Sequence, residues 1–212
     1  ITHNHQDHVL LETLLQLRHS IKNIVVPSSG KGNLQDPNLK LMFNAIGFNN
    51  VIELDDMETI ELDRCVITGL PFIGEHSDID IRSKLCFHVE LHNKLKVLFA
   101  ADSCNVEPKV YERIQAIVGN IDVLFLGMEC EGAPLSWLYG PLMYDKLPRE
   151  KDQSRRLAGS DFKQGERLVD IFSPKNVFVY AMGLEPWLVF ISSLKYTDES
   201  KPIIESNKLV EE

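Results

Sequence analysis

The chain is poor in the features that mark membrane, nucleic-acid-binding and disulfide-stabilised proteins. Its longest apolar runs, such as Val123–Gly127 and Trp187–Ile191, are far shorter than the roughly 20 residues that a transmembrane helix needs. Its net charge of −9 argues against a nucleic-acid partner, because phosphate binding depends on clustered Lys and Arg. Its four cysteines form no Cys-x-x-Cys pair, which favours reduced thiols. We therefore expect a cytoplasmic protein without a membrane segment.

Histidine is distributed unevenly, with three of the seven among the first eight residues. In an extended segment alternate side chains face the same way, so His3 and His5 can bind one metal ion from one side. If the backbone bends into a helix near Gln6, Asp7 and His8 lie on its first turn and face a second ion. The pattern His-x-His-x-Asp-His thus predicts two metal ions roughly 3.5–4 Å apart that share a bridging water.

The remaining sequence predicts one α/β (α+β) domain over residues 1–212, with an acidic and loosely packed tail at 197–212. With 212 residues and 44% hydrophobic residues, the chain is long enough for a sizeable core. His88 and His92 are expected on a solvated strand face. Predicted helices are Val9–His19, Asn38–Ile46, Val106–Val118, Gln164–Ile171 and Pro186–Lys195. Predicted strands are Asn23–Val26, Val51–Leu54, Thr59–Leu62, Cys65–Phe72, Leu85–Leu91, Leu95–Ala101, Val123–Leu126 and Val177–Tyr180.

The histidine motif, followed by an amphipathic helix and a strand, resembles the metallo-β-lactamase fold superfamily. The resemblance implies an αββα sandwich whose metal site lies at one edge of two packed sheets. Members usually place several strands before this motif, whereas here it begins at residue 2. We therefore expect a fragment of a longer chain that lacks the N-terminal strands.

The resemblance also implies the remaining ligands. A Gly-His pair normally completes the first metal site, and here Gly74 is followed by Glu75 and then His76. Either Glu75 replaces the histidine, which we prefer, or His76 supplies it with a one-residue shift. Asp102, directly after a predicted strand, stands where the superfamily places the carboxylate that bridges both metals. Cys104 is expected to be a packed thiol.

The last ligand of the superfamily is a histidine after the final strand, and no histidine follows His92 in this chain. Either a carboxylate substitutes for it, with Glu129 and Glu185 as the possible ligands, or the second site remains open.

The Glu75 assignment changes the expected chemistry, because two imidazoles with one carboxylate are typical of oxygen-activating iron sites. Together with the stretches Gly127–Pro134 and Ser136–Pro141, it makes the chain similar to the diiron β-hydroxylase branch of the superfamily, typified by the chloramphenicol-pathway enzyme. That branch implies two iron ions, dioxygen as co-substrate and hydroxylation of an amino acid held as a thioester on a nonribosomal peptide synthetase carrier domain. Asp7 and Asp102 would be catalytic. The substrate-binding site would be lined by Trp137, Tyr139 and Tyr144.

A metal-dependent hydrolase is the alternative. Two zinc or manganese ions at the same ligands would activate a water molecule, oriented by Asp7, against a thioester, lactone, phosphodiester or lactam. A metal-free binding module is disfavoured by the motif but stays open because the terminal histidine is missing.

Overall fold

A computed structural model of the chain describes residues 1–5, 8–29, 38–74, 81–132, 144–146, 148–152, 158–180 and 195–212. The chain divides into two compact units. The first comprises Ile1–Phe72 with Ile79–Lys94, and the second comprises Ile73–Asp78 with Leu95–Glu212.

Within its described residues the first unit contains a parallel pair of strands, an antiparallel set of three strands and two helices. In chain order these are α1 (Leu11–Leu17), β1 (Ile24–Pro27), α2 (Leu39–Ala45), β2 (Val51–Leu54), β3 (Thr59–Leu62), β4 (Cys65–Pro71) and β5 (Leu85–Leu91). Strands β1 and β2 are parallel, with Ile24 opposite Val51. Strand β4 pairs antiparallel with both β3 and β5, and a two-residue turn joins β3 to β4.

The core of the first unit lies between α2 and the strand pair β1–β2. Asn38 caps α2 by accepting a hydrogen bond from Leu41 N at 2.7 Å, which satisfies one of the free backbone donors of the first turn. The helix then buries Phe43, whose ring packs edge-on against Phe48. The buried cluster consists of Val9, Ile24, Val26, Leu39, Phe43, Phe48 and Val51.

The second unit is built on three parallel strands. Its described elements are β6 (Lys96–Ala101), α3 (Pro108–Val118), β7 (Val123–Gly127), α4 (Arg149–Asp152), α5 (Phe162–Phe172), β8 (Asn176–Tyr180) and α6 (Lys201–Glu211). Strand β7 pairs in parallel with β6 on one side and with β8 on the other. Its Leu124 and Leu126 are fully buried, as expected for a continuous apolar run in a parallel sheet.

The predicted strands agree with the structure to within one or two residues. Helix α1 is shorter than the predicted Val9–His19, and residues 186–194 of the predicted helix Pro186–Lys195 lie outside the described residues. No helix in the described ranges is long and apolar enough to cross a membrane. The single domain over residues 1–212 stays a prediction.

Two local predictions were wrong. The tail is not loosely packed, because residues 201–211 form α6 and bury Pro202, Ile203 and Ser206. His88 is 5% exposed rather than solvated, whereas His92 is exposed as predicted.

Candidate metal centre

The segment that carries the first two histidines is anchored at both sides within the first unit. Ile1 N donates a hydrogen bond to Val25 O of β1 at 3.0 Å, and Leu85 N, at the start of β5, donates to Thr2 O at 2.8 Å. His3 and His5 are consequently buried, with exposed fractions of 1% and 6%.

The imidazole rings of this segment lie close together. The ring centroids of His3 and His5 are 4.3 Å apart, in agreement with their predicted common side, and those of His3 and His8 are 4.2 Å apart. His8 N and Val9 N both donate to His5 O, at 3.0 and 2.8 Å, so the backbone bends here as predicted. Helix α1 begins only at Leu11, however, so His8 lies in a turn before the helix and not on its first turn.

Thr2 lies within hydrogen-bond distance of the His3 ring. Its Oγ1 lies 3.1 Å from His3 Nδ1. A proton on Nδ1 donated to this hydroxyl makes Nε2 the nitrogen with the lone pair. That pattern, in which the second ring nitrogen is held by a hydrogen bond, is the usual one for a metal-binding histidine.

Asp102 follows β6 in the second unit, where the strand is distorted. The register between β6 and β7 shifts between Phe99 and Ala101, and Ala101 has a φ of 49°, which is unusual for a residue with a side chain. This bulge turns the chain at the strand end, and Asp102 is 5% exposed.

Gly127, at the end of β7, makes room for the Asp102 carboxylate. A Cβ atom at Gly127 would lie 2.2 Å from Asp102 Oδ1 and 2.9 Å from Ala101 O. No side chain fits there without displacing the carboxylate. This role of Gly127 was not predicted from the sequence.

The residues after Asp102 hold the segment that precedes Glu75. Ser103 Oγ lies 3.0 Å from Ile73 N and donates to Ile73 O at 3.1 Å, and Cys104 N donates to Ile73 O at 2.8 Å. Gly74 has a φ of 88°, and a Cβ there would lie 2.0 Å from Cys104 Sγ. Cys104 is 5% exposed, as expected for a packed thiol. Ser103 therefore holds Ile73 in place, and the lack of a side chain at Gly74 allows the close approach of Cys104. The role of Ser103 was not predicted from the sequence.

The nitrogen and oxygen ligand atoms of His3, His5 and Asp102 all lie within 4.8 Å of one another. All three side chains are buried. Two imidazoles with one carboxylate form a donor set that suits iron or zinc, and a cation bound there would offset the cost of burying the carboxylate. The residues present thus fit a metal ion.

Glu129 lies outside this group of three, but its position after strand β7 is comparable to that of Asp102 after β6. It follows β7 as Asp102 follows β6, and the carboxyl ends of adjacent parallel strands lie at the same edge of a sheet. Its Oε1 accepts hydrogen bonds from Glu131 N and Gly132 N, both at 3.0 Å. Burial raises the pKa of the neighbouring Cys130 thiol to about 11.

The other predicted site residues are less informative. Tyr144 is 99% exposed, and its contact with a substrate stays a prediction. The remaining predicted site residues lie outside the described residues; they are Asp7, Glu75, His76, Trp137, Tyr139 and Glu185.

Three comparisons with known proteins bear on this site. Residues 1–132 match the family model described as the beta-lactamase superfamily domain. The chain is 45% identical, over 210 residues, to the 4-amino-L-phenylalanyl-[CmlP-peptidyl-carrier-protein] 3-hydroxylase of Streptomyces venezuelae, covering 99% of this chain and 39% of that protein.

Solved structures of the hydroxylase and of this fold are also similar to the chain. CmlA, a diiron beta-hydroxylase from Streptomyces venezuelae, has a TM-score of 0.89 at 45% identity, over 100% of this chain and 40% of that one. The metallo-beta-lactamase fold protein YhfI from Bacillus subtilis has a TM-score of 0.50 at 10% identity, over 91% of this chain and 70% of that one, which supports the fold alone. The chain spans about two fifths of the hydroxylase's length. The predicted fold class is confirmed, and the chain belongs to the beta-lactamase superfamily, with the metallo-β-lactamase type of fold.

Proposed function

We propose that the chain is the metal-binding part of a diiron hydroxylase that acts on an amino acid held by a peptidyl carrier protein. The observation that carries this proposal is the buried group of His3, His5 and Asp102 in a chain that is 45% identical to a carrier-protein-dependent 3-hydroxylase. The chemistry of this donor set supports iron, because two imidazoles and a carboxylate are the ligands of oxygen-activating iron sites.

We assign the ligands in two groups. His3, His5 and Glu75 would hold one iron ion, Asp7 and His8 would hold the other, and Asp102 would be a ligand shared by both. For the ligand that replaces the absent terminal histidine we favour Glu129 over Glu185, because Glu129 lies two residues beyond β7, which pairs with the strand that precedes Asp102.

Two iron ions in this site would supply the activation of dioxygen. One oxygen atom would enter the β C–H bond. The other would leave as water after uptake of two electrons and two protons from outside. The chain's own residues would orient the ligands and exclude water. With Nδ1–H of His3 donating to Thr2 Oγ1, the lone pair of Nε2 would be available to a metal ion. The burial of His3, His5 and Asp102 keeps bulk water away from the ligands.

We also propose a cytoplasmic location. All four cysteines are free thiols in the structure, and such thiols persist in a reducing compartment.

The first prediction concerns metal content. Protein purified from cells grown with iron and zinc both available should contain about two iron ions per chain, with a visible absorption band that reduction removes and air restores. His5→Ala should lose most of the iron because His5 is a buried ligand, whereas His92→Ala, at an exposed histidine of the same unit, should retain it.

Two results would contradict the proposal. Stoichiometric zinc without a visible band, together with turnover of an ester or phosphodiester, would favour the hydrolase alternative. Protein that retains no metal under any loading condition would favour a binding module.

A further inference from the structure

The first unit contains an open cleft of about 650 Å³, a size typical of small-molecule sites. Eleven of the described residues line it: Ser28, Ser29, Leu54, Asp55, Asp56, Pro71, Phe72, Ile81, Arg82, Lys84 and Leu85. All of them belong to the first unit, which also carries the three N-terminal histidines.

The floor of the cleft is apolar and adjoins the histidines. Leu54, Phe72, Ile81 and Leu85 are buried, with exposed fractions of 2%, 7%, 9% and 2%. The Phe72 ring also packs edge-on against His3, with ring centroids 5.1 Å apart. A ligand in contact with Phe72 is therefore separated from this imidazole by a single aromatic ring.

The rim of the cleft carries charges of both signs. Asp55 and Asp56 provide carboxylates, and Arg82 and Lys84 provide cations. Lys84 Nζ lies 5.3 Å from the centroid of the Phe72 ring, which brings its charge close to the floor.

Asp56 is the carboxylate best suited to bind a cation from outside. Ser28 Oγ donates a hydrogen bond to Asp55, whereas Asp56 has no ionic partner among the described residues. Burial and the Asp55 carboxylate raise the pKa of Asp56, and a ligand ammonium group beside it would have the opposite effect.

We propose that this cleft binds the aminoacyl group of the substrate. The α-ammonium group contacts the Asp55–Asp56 rim, the acyl oxygen faces Lys84 and Arg82, and the side chain lies on the apolar floor against Phe72. This assignment rests on the proposed function, which requires an aminoacyl group near the metal-binding histidines.

The test uses two probes that differ only in the amino group. S-(L-phenylalanyl)pantetheine and S-(3-phenylpropionyl)pantetheine are titrated calorimetrically into metal-free and iron-loaded protein without oxygen. Asp56→Asn should weaken binding of the amino probe about fivefold, the upper range for an ion pair at an accessible site, and should leave the des-amino probe unchanged. Asp56 is exposed, so this variant should fold as the wild type, which a thermal melt verifies.

Lys84→Gln tests the opposite rim. Both probes carry the acyl oxygen, so this change should weaken both by a similar factor of about two to five. Asp63→Asn, at an exposed carboxylate in the β3–β4 turn of the same unit, is the matched control and should change neither affinity.

The outcomes separate the two proposals. The cleft assignment would be overturned if iron-loaded protein bound neither probe. It would also be overturned if Asp56→Asn weakened the binding of both probes by the same factor. Either result would leave the diiron proposal intact. Protein that binds no iron but shows the expected difference between the probes would support the cleft and refute the diiron function.

Discussion

Thr2 and His3 show how a neighbouring hydroxyl prepares a ligand. The hydroxyl lies 3.1 Å from Nδ1, and when Nδ1–H donates to it the lone pair is on Nε2. We predict that Thr2→Val, which keeps the β-branched shape, lowers the affinity for ferrous iron by about tenfold, within the range for residues that orient metal ligands. Competition with a coloured chelator measures this affinity.

Thr2→Ser retains the hydroxyl and should restore most of the affinity. Thr197→Val, at an exposed threonine outside the site, controls for the loss of a hydroxyl as such. Wild-type iron affinity in Thr2→Val would show that another contact sets the His3 tautomer.

The residues of the site differ in how far the sequence revealed them. The histidines could be predicted because ligand type and spacing are both local, and the close rings of His3 and His5 agree with that prediction. The role of Gly127 could not be predicted, because it depends on the Asp102 carboxylate that lies against this glycine in the folded chain. Steric exclusion between segments distant in sequence leaves no pattern in either segment alone.

Helix α5 is an element whose start is encoded locally. Asp161 accepts a hydrogen bond from Gln164 N at 2.9 Å, and Gln164 Oε1 accepts one from Asp161 N at 3.0 Å, which completes a capping box. We predict that Asp161→Ala lowers the free energy of unfolding by about 1 kcal/mol, because a backbone donor of the first turn loses its acceptor.

Urea unfolding followed by circular dichroism measures this change. Asp145→Ala, at an exposed aspartate, should alter the free energy of unfolding by less than about 0.5 kcal/mol. Equal effects of the two substitutions would mean that the box does not stabilise α5.

The elements of the fold were predictable where one signal dominated. Strand β7 is a continuous apolar run, and the structure places it between two parallel neighbours. Helix α6 was not predicted because the tail at 197–212 is acidic, while the buried Pro202, Ile203 and Ser206 follow a helical spacing that a short segment expresses weakly.

For the whole molecule, a bound metal ion should add to the free energy of unfolding. Its ligands come from residues far apart in the sequence, so the unfolded chain offers no equivalent site. A ligand at 100 times its Kd stabilises the folded state by about 2.7 kcal/mol. For a chain of this size each kcal/mol raises Tm by about 2–4 °C, so saturating ferrous iron should raise Tm by about 5–10 °C.

Anaerobic thermal melts with and without iron measure this shift, and His5→Ala provides the contrast. Because His5 is buried within the group of ligands, the variant should melt at the same temperature with and without iron. A general effect of cations on a chain of net charge −9 would instead raise Tm equally in both proteins, and magnesium would reproduce it. A shift confined to the wild type and to iron therefore requires the histidine and aspartate ligands, whereas an equal shift in His5→Ala would place the bound metal elsewhere on the chain.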